Sequence, residues 1–212
     1  MDSRSAEDHL RVIRELMERA TIYRTISAPA ALCCGFLALI IASAALIPGP
    51  LQPILRHYFV GVWIIVFLLS AVANTLFLLR SARERKETFP SRRMRTALVA
   101  ITPAFLVAGA LTILLTRNRG SEIFVAVCWI GLYGMALLST VTFAPRSIAL
   151  LGWAFVLTSC LCLVLLTQDY LFSFTASRHV TLQGYLAMAG TFGLYHIIYG
   201  FAVMFYGRHG NG

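Results

Sequence analysis

Residues 58–79 read YFVGVWIIVFLLSAVANTLFLL, a run of 22 residues without Asp, Glu, Lys or Arg. A helix of about 20 apolar residues, rising about 1.5 Å per residue, covers the ~30 Å hydrocarbon layer of a bilayer. This stretch therefore predicts a transmembrane helix. Five more charge-free stretches of similar length follow the same rule: Ala28–Ile47, Thr96–Thr116, Ile123–Phe143, Ile148–Thr167 and Leu182–Tyr206.

The six stretches predict an all-α fold, an integral membrane bundle of six transmembrane helices. We expect a cytoplasmic segment over residues 1–27, the transmembrane domain over 28–207 and a short tail over 208–212. The composition agrees, because 58% of the residues are hydrophobic and 13% are charged, against about 25% charged in soluble domains. The short connections leave no room for a soluble catalytic domain, so any activity lies within the bundle or at its two surfaces.

The distribution of basic residues predicts the orientation. Of the 18 Lys and Arg residues, only Arg56, Arg117, Arg119 and Arg178 fall on one side of the predicted membrane. Basic residues accumulate on the cytoplasmic side of membrane proteins, so we expect both termini in the cytoplasm. The formal net charge of +9 then reflects topology and the anionic inner leaflet, and no nucleic-acid partner is predicted.

A separate pattern precedes the first stretch. Leu10, Ile13, Met17 and Ala20 recur at steps of three and four residues, which predicts an amphipathic helix in the N-terminal segment. We expect this helix either to lie in the cytoplasmic membrane interface or to pack on the cytoplasmic loops of the bundle. The sequence leaves both arrangements open.

The connection between the second and third stretches carries the densest run of charge. Basic residues next to membrane helices attract anionic lipid by about 1 kcal/mol each, so we predict that this connection binds anionic headgroups. A plain topology signal and a docking surface for a soluble partner are the alternatives. The candidate lipid-binding residues are Arg83, Arg85, Lys86, Arg92, Arg93 and Arg95.

His196 is the only histidine inside a predicted span. Ala189, Gly193 and Gly200 stand at helical spacing with it, on a stripe of small residues where another helix can approach closely. A polar side chain in hydrocarbon needs a partner, and the polar residues at similar depth are Asn74, Ser139, Thr140 and Tyr199. We predict a ligand or proton site formed by His196, Tyr199, Asn74 and Thr140. The alternative is a neutral histidine that makes a structural hydrogen bond across a helix interface.

Haem binding is a third interpretation of an intramembrane histidine. Two other histidines, His57 and His179, lie near the predicted outer surface. By helical rise, their depth in the membrane differs from that of His196 by about 20 Å. A bis-histidine haem site within this chain is therefore excluded under the predicted topology. The five cysteines lie inside predicted spans at unequal depths, which indicates packing rather than a redox relay. We predict no cofactor and no metal.

Four segments carry a resemblance to other proteins: residues 20–31 (ATIYRTISAPAA), 90–95 (PSRRMR), 144–147 (APRS) with 151–154 (LGWA), and 190–197 (GTFGLYHI). Together they resemble a group of small bacterial six-span membrane proteins with no established activity. The resemblance covers most of the chain and implies a bacterial inner membrane. It transfers no functional residues.

The catalytic motifs of common enzyme classes are absent from the sequence. It contains no P-loop, no GxSxG elbow, no HExxH motif and no paired intramembrane carboxylates, so no catalytic residue is predicted. One functional interpretation is a non-catalytic bundle that acts by association, as an accessory subunit, a sensor or a homo-oligomer. Its support is small-residue pairs such as Ala104/Ala108 and Ala189/Gly193. The other is a small transporter or channel whose path passes His196 and a bend at Pro103.

Overall fold

The computed structural model describes residues 28–84, 92–117, 122–142, 144–167 and 180–209, and all regular secondary structure in these ranges is helical. The helices, in chain order, are α1 (Ala28–Leu46), α2 (Gln52–His57), α3 (Phe59–Glu84), α4 (Arg92–Leu115), α5 (Glu122–Leu138), α6 (Arg146–Thr167), α7 (Val180–Met188), a π-helix (Ala189–Tyr195) and α8 (His196–His209).

Five helical segments are long and apolar enough to cross a bilayer. They are Ala28–Leu46, Phe59–Glu84, Met94–Leu115, Arg146–Thr167 and Thr181–Phe205, the last built from α7, the π-helix and α8. Large apolar side chains stand on their outer faces, where Leu106 is 68% exposed and Leu150 is 71% exposed. This arrangement suits lipid rather than water as the surrounding solvent. The prediction of an all-α membrane protein is confirmed to this extent.

The fourth predicted span is shorter than expected. The charge-free stretch ends at Phe143, but α5 ends at Leu138 and has 17 residues. The Ser139 hydroxyl donates to the Ala136 carbonyl and the Thr140 hydroxyl to the Leu137 carbonyl, each at 2.7 Å. The backbone N–H groups of Thr140 and Val141 donate to the carbonyls three residues earlier, those of Leu137 and Leu138. These contacts tighten and end the helix.

The charged connection is also shorter than expected. The helix α3 continues beyond Leu79 to Glu84, and α4 begins at Arg92 rather than Thr96. An exposed ion pair, in which Arg80 Nε lies 3.0 Å from Glu84 Oε1, fits this extension because the two residues are four positions apart on one helix. We call the end of the bundle where α3 ends and α4 begins the basic end.

Glycines allow the segment that ends in α8 to approach α1 closely. A Cβ added to Gly193 would lie 2.6 Å from Leu39 Cδ2, and one added to Gly200 would lie 2.7 Å from Leu32 Cγ. A larger residue at either position would therefore require Leu39 or Leu32 to shift. The close approach predicted for the small-residue stripe is confirmed at these two glycines, and α1 is the partner.

A second close contact joins α5 to α6. A Cβ on Gly134 would lie 2.8 Å from the Gly152 carbonyl oxygen, and one on Gly152 would lie 3.1 Å from the Gly134 carbonyl oxygen. Phe155, one turn from Gly152, is fully buried in the main hydrophobic core. The two helices therefore form a tightly packed pair.

The helices α3 and α4 pack on different neighbours. The rings of Phe59 and Trp63 on α3 contact Tyr185 of α7, with centroids 5.0 and 5.9 Å apart. On the other side, Trp129 Nε1 of α5 donates to Thr112 Oγ1 of α4 at 2.8 Å. A cleft consequently remains between α3 and α4.

Several predicted features fall outside the described residues. They are the amphipathic helix in residues 1–27, the lipid-binding candidates Arg85 and Lys86, and the outer connection that contains His179. The helix α4 runs through Pro103 without interruption, and a bend at that residue stays a prediction.

Candidate functional site

A partly open cavity of about 840 Å³ occupies the cleft between α3 and α4. Residues of α1, α5, α6 and α8 form its floor, and neither Asp, Glu, Lys nor Arg is among the described residues that line it. The volume falls within the range of about 300–1,000 Å³ found for small-molecule sites. The lining is mainly apolar, so the cavity suits an apolar molecule.

The four residues predicted to form a ligand or proton site, His196, Tyr199, Asn74 and Thr140, all line this cavity. They do not bond to one another in the way the sequence suggested. The Thr140 hydroxyl is used within its own helix end, and the amide of Asn74 has no hydrogen-bond partner among the described residues. Asn74 therefore offers a polar group to whatever enters the cavity.

The partner of His196 is Tyr133, which sequence reasoning missed. Tyr133 Oη of α5 lies 2.8 Å from His196 Nε2 of α8, and either atom can donate, depending on the tautomer of the imidazole. The second ring nitrogen, Nδ1, is shielded from solvent and makes no hydrogen bond of good geometry with a described residue. The sequence carries no signal that pairs Tyr133 with His196, because the two residues are 63 positions apart.

Aromatic rings enclose the imidazole. The centroids of Tyr133, Phe155 and Phe192 lie 5.5, 5.7 and 6.1 Å from that of His196, and Phe192 is nearly parallel to it at 13°. A metal or haem iron could reach Nε2 only after the bond to Tyr133 was broken. Among the residues that the structure describes, no group of three or more His, Cys, Asp or Glu side chains could hold a metal ion.

The π-helix ends directly before His196. Its i to i+5 turn is rare in proteins and occurs frequently at functional sites. Tyr195 and His196 stand at its end and bond to two different helices. Tyr195 Oη lies 2.7 Å from Thr158 Oγ1 of α6, while His196 bonds to Tyr133 of α5. Nothing in the helical periodicity of this stretch predicted the π-helix.

Three aromatic side chains join α3, α4 and α5 across the cleft. The rings of Phe67, Phe105 and Trp129 lie 5.4 to 6.0 Å apart by their centroids, and all three line the cavity. We call them the aromatic bridge. Phe67 and Phe105 thus bring α3 and α4 into ring contact within the cleft.

The basic end of the bundle adjoins the cavity. Ala82 of α3 and Met94 of α4 line the cavity at this end, and the next residues, Arg83 and Arg95, are exposed. Arg92 and Arg93 of the predicted lipid-binding set lie in the first turn of α4. The structure thus brings part of the predicted basic surface next to one end of the cavity.

Comparison with protein-family models, curated proteins and solved structures finds no match for this chain. The functional argument therefore rests on the cavity and the residues around it.

Proposed function

We propose that the chain is a non-catalytic protein of the bacterial inner membrane whose cavity binds an apolar molecule taken from the bilayer. The observation that supports this most is the uncharged cavity of about 840 Å³ between two helices that are long enough to cross the membrane. Molecules dissolved in the hydrocarbon layer can reach such a cavity sideways, without crossing water. The bacterial origin rests on the sequence resemblance.

The proposal includes six spans, with both termini in the cytoplasm and an amphipathic helix before the first span. The structural support for a sixth span is the position of α5, which packs against α4, α6 and α7. Its residues Ala126 and Ile130 are fully buried. A helix of 17 residues, about 25 Å long, is at the short end for a span, but a central helix shielded by longer neighbours meets little lipid.

The polar groups in the cavity favour a ligand with a neutral polar group. The Tyr133–His196 pair supplies an uncharged hydrogen-bonding wall, and the amide of Asn74 lines the same cavity from α3. An amide can donate to and accept from a carbonyl or hydroxyl of the ligand. A formally charged group has no counter-ion in this lining and would be strongly disfavoured there.

Tryptophan fluorescence tests the proposal. Of the three tryptophans, Trp63 and Trp129 line the cavity, whereas Trp153 is 54% exposed on α6. The variant with Trp63→Phe and Trp153→Phe keeps Trp129 as the only reporter. Phospholipids with brominated acyl chains quench tryptophan on contact. At low lipid-to-detergent ratio we expect saturable quenching of Trp129.

A blocking variant shows where the quencher enters. Ala71 lines the cavity and is exposed, so Ala71→Phe should fill the cleft at little cost in stability and reduce the quenching. Ala110→Phe, at an exposed position of α4 away from the cavity, is the matched control. Quenching that is absent, or equal in the two variants, contradicts the proposal.

A second candidate function is transport along the cleft. The lining extends on α3 from Phe59 to Ala82, about 35 Å by helical rise, which is comparable to the ~30 Å hydrocarbon layer. The aromatic bridge would then be the constriction on the path. Vesicles that contain a fluorescent lipid test this, since transport predicts protein-dependent exchange of the lipid between leaflets and binding alone predicts none.

A further inference from the structure

We infer that the molecule in the cavity is an anionic phospholipid of the cytoplasmic leaflet, with its headgroup at the basic end, near Arg83 and Arg95, and one acyl chain in the cleft. This inference rests on the proposed function, because it names the occupant of the same cavity. It connects the basic end of the bundle with the apolar cleft.

The charges favour a headgroup at the basic end. Since the described lining carries no formal charge, a phosphate has no favourable position inside. Arg83 of α3 and Arg95 of α4 are exposed at this end, and each directly follows a residue that lines the cavity. Neither forms an ion pair with a residue in the described ranges, whereas Arg80 is held by Glu84. Exposed basic residues at the membrane surface attract anionic headgroups by about 1 kcal/mol each.

The length of the cleft matches an acyl chain. Along α4, the lining runs from Met94 to Phe105 of the aromatic bridge, which is about 16 Å by helical rise. One leaflet fills half of the ~30 Å hydrocarbon layer, or about 15 Å. A chain whose headgroup sits at the basic end therefore reaches the aromatic bridge and stops there.

The two ends of the cavity distinguish a lipid from a free phosphate ion. A free phosphate ion would leave the apolar part of the cavity unused. An acyl chain with an anionic headgroup uses both the apolar cleft and the two arginines.

The single-tryptophan protein that retains Trp129 tests the headgroup. Brominated phosphatidylglycerol and brominated phosphatidylcholine with identical chains are titrated separately into the full-length protein in detergent. Two basic residues at the surface confer a preference of roughly 30-fold for an anionic lipid. We therefore expect half-maximal quenching of Trp129 at roughly 30-fold less phosphatidylglycerol than phosphatidylcholine.

Substitution of the arginines assigns the preference. Arg83→Gln together with Arg95→Gln should remove the preference, so that both lipids quench Trp129 at the same concentration. An unchanged circular dichroism spectrum shows that the variant is folded. Arg117→Gln, an exposed arginine beyond the opposite end of α4, should keep the preference. Excess inorganic phosphate should not displace the quencher from Trp129.

The outcomes separate this inference from the proposed function. Three results overturn the inference while leaving an occupied cavity. They are equal quenching by the two lipids when both arginines are present, a preference that survives the double substitution, and displacement of the quencher by inorganic phosphate. Absence of quenching by either lipid overturns the proposed function itself.

Discussion

The hydrogen bond between Tyr133 and His196 yields a prediction whose size follows from its setting. Tyr133→Phe removes one hydroxyl and leaves the ring that packs against Phe155 and Phe192 at 4.9 and 5.0 Å. The bond is 2.8 Å long and joins α5 to α8. Hydrogen bonds between membrane helices contribute about 0.6 kcal/mol on average and at most about 1.7 kcal/mol.

We therefore expect Tyr133→Phe to lower the free energy of unfolding by about 1 kcal/mol. A double-mutant cycle with His196→Leu should give a coupling energy between about 0.6 and 1.7 kcal/mol. Unfolding in mixed micelles of increasing sodium dodecyl sulfate, followed by circular dichroism, measures both quantities. Tyr195→Phe, which loses a bond of 2.7 Å to Thr158, is the matched control and should cost a similar amount.

Two results would refute this reasoning. A coupling energy near zero would mean that the two side chains do not share a hydrogen bond in the membrane. A loss above about 3 kcal/mol from the hydroxyl alone would mean that the bond belongs to a larger polar network, because the described contacts of this ring are otherwise apolar.

The remaining predictions concern function, packing, topology and assembly. If His196 needs only a polar partner, His196→Gln should preserve both the fold and the quenching of Trp129. Loss of quenching with unchanged thermal stability would instead show a role that requires an imidazole. Gly134→Ala should destabilise the bundle by about 1–3 kcal/mol through overpacking against Gly152. Gly61→Ala is the control and should be nearly neutral in the same unfolding assay, because a Cβ at that position meets no atom within 4 Å. Thr88→Cys should react with a membrane-impermeant maleimide only after the cytoplasmic face is exposed; labelling from outside would reverse the orientation. The chain should form a homo-oligomer in mild detergent, and a monomer at all concentrations in native mass spectrometry would count against it.

The small-residue pairs that motivated the oligomer have partners within the chain. Ala108 is 1% exposed, and Gly193 packs against Leu39 of α1. These positions are consequently not free for subunit contacts in the described arrangement. The oligomer stays a prediction, and its contacts would have to use other surfaces.

Most of the spans were predictable because a membrane helix depends on a local property of the chain. Twenty residues without charge are visible in any window of the sequence. The helix ends were less predictable, since they depend on details such as the hydroxyls of Ser139 and Thr140, which end α5 early. The Arg80–Glu84 pair had the opposite effect, because it supports α3 beyond the apolar stretch.

The candidate site was predictable only in part. His196 was evident from the sequence because a histidine is rare at that depth, and its three companions do line the same cavity. Tyr133 was missed because a tyrosine inside an apolar stretch is typical of packing and gives no sign of its partner. The cavity itself has no sequence signal. It arises because α3 packs on α1 and α7 while α4 packs on α5. Tertiary contacts determine this packing, and they are not visible in a local stretch of sequence.

The claim that the cavity holds a bilayer molecule is tested most directly by native mass spectrometry of the full chain released from mild detergent. We predict that the protein retains one phospholipid per chain, that Ala71→Phe loses it and that Ala110→Phe keeps it. A lipid-free chain in every preparation, or equal retention by the two variants, would contradict the assignment of the cavity between α3 and α4 as a lipid-binding site.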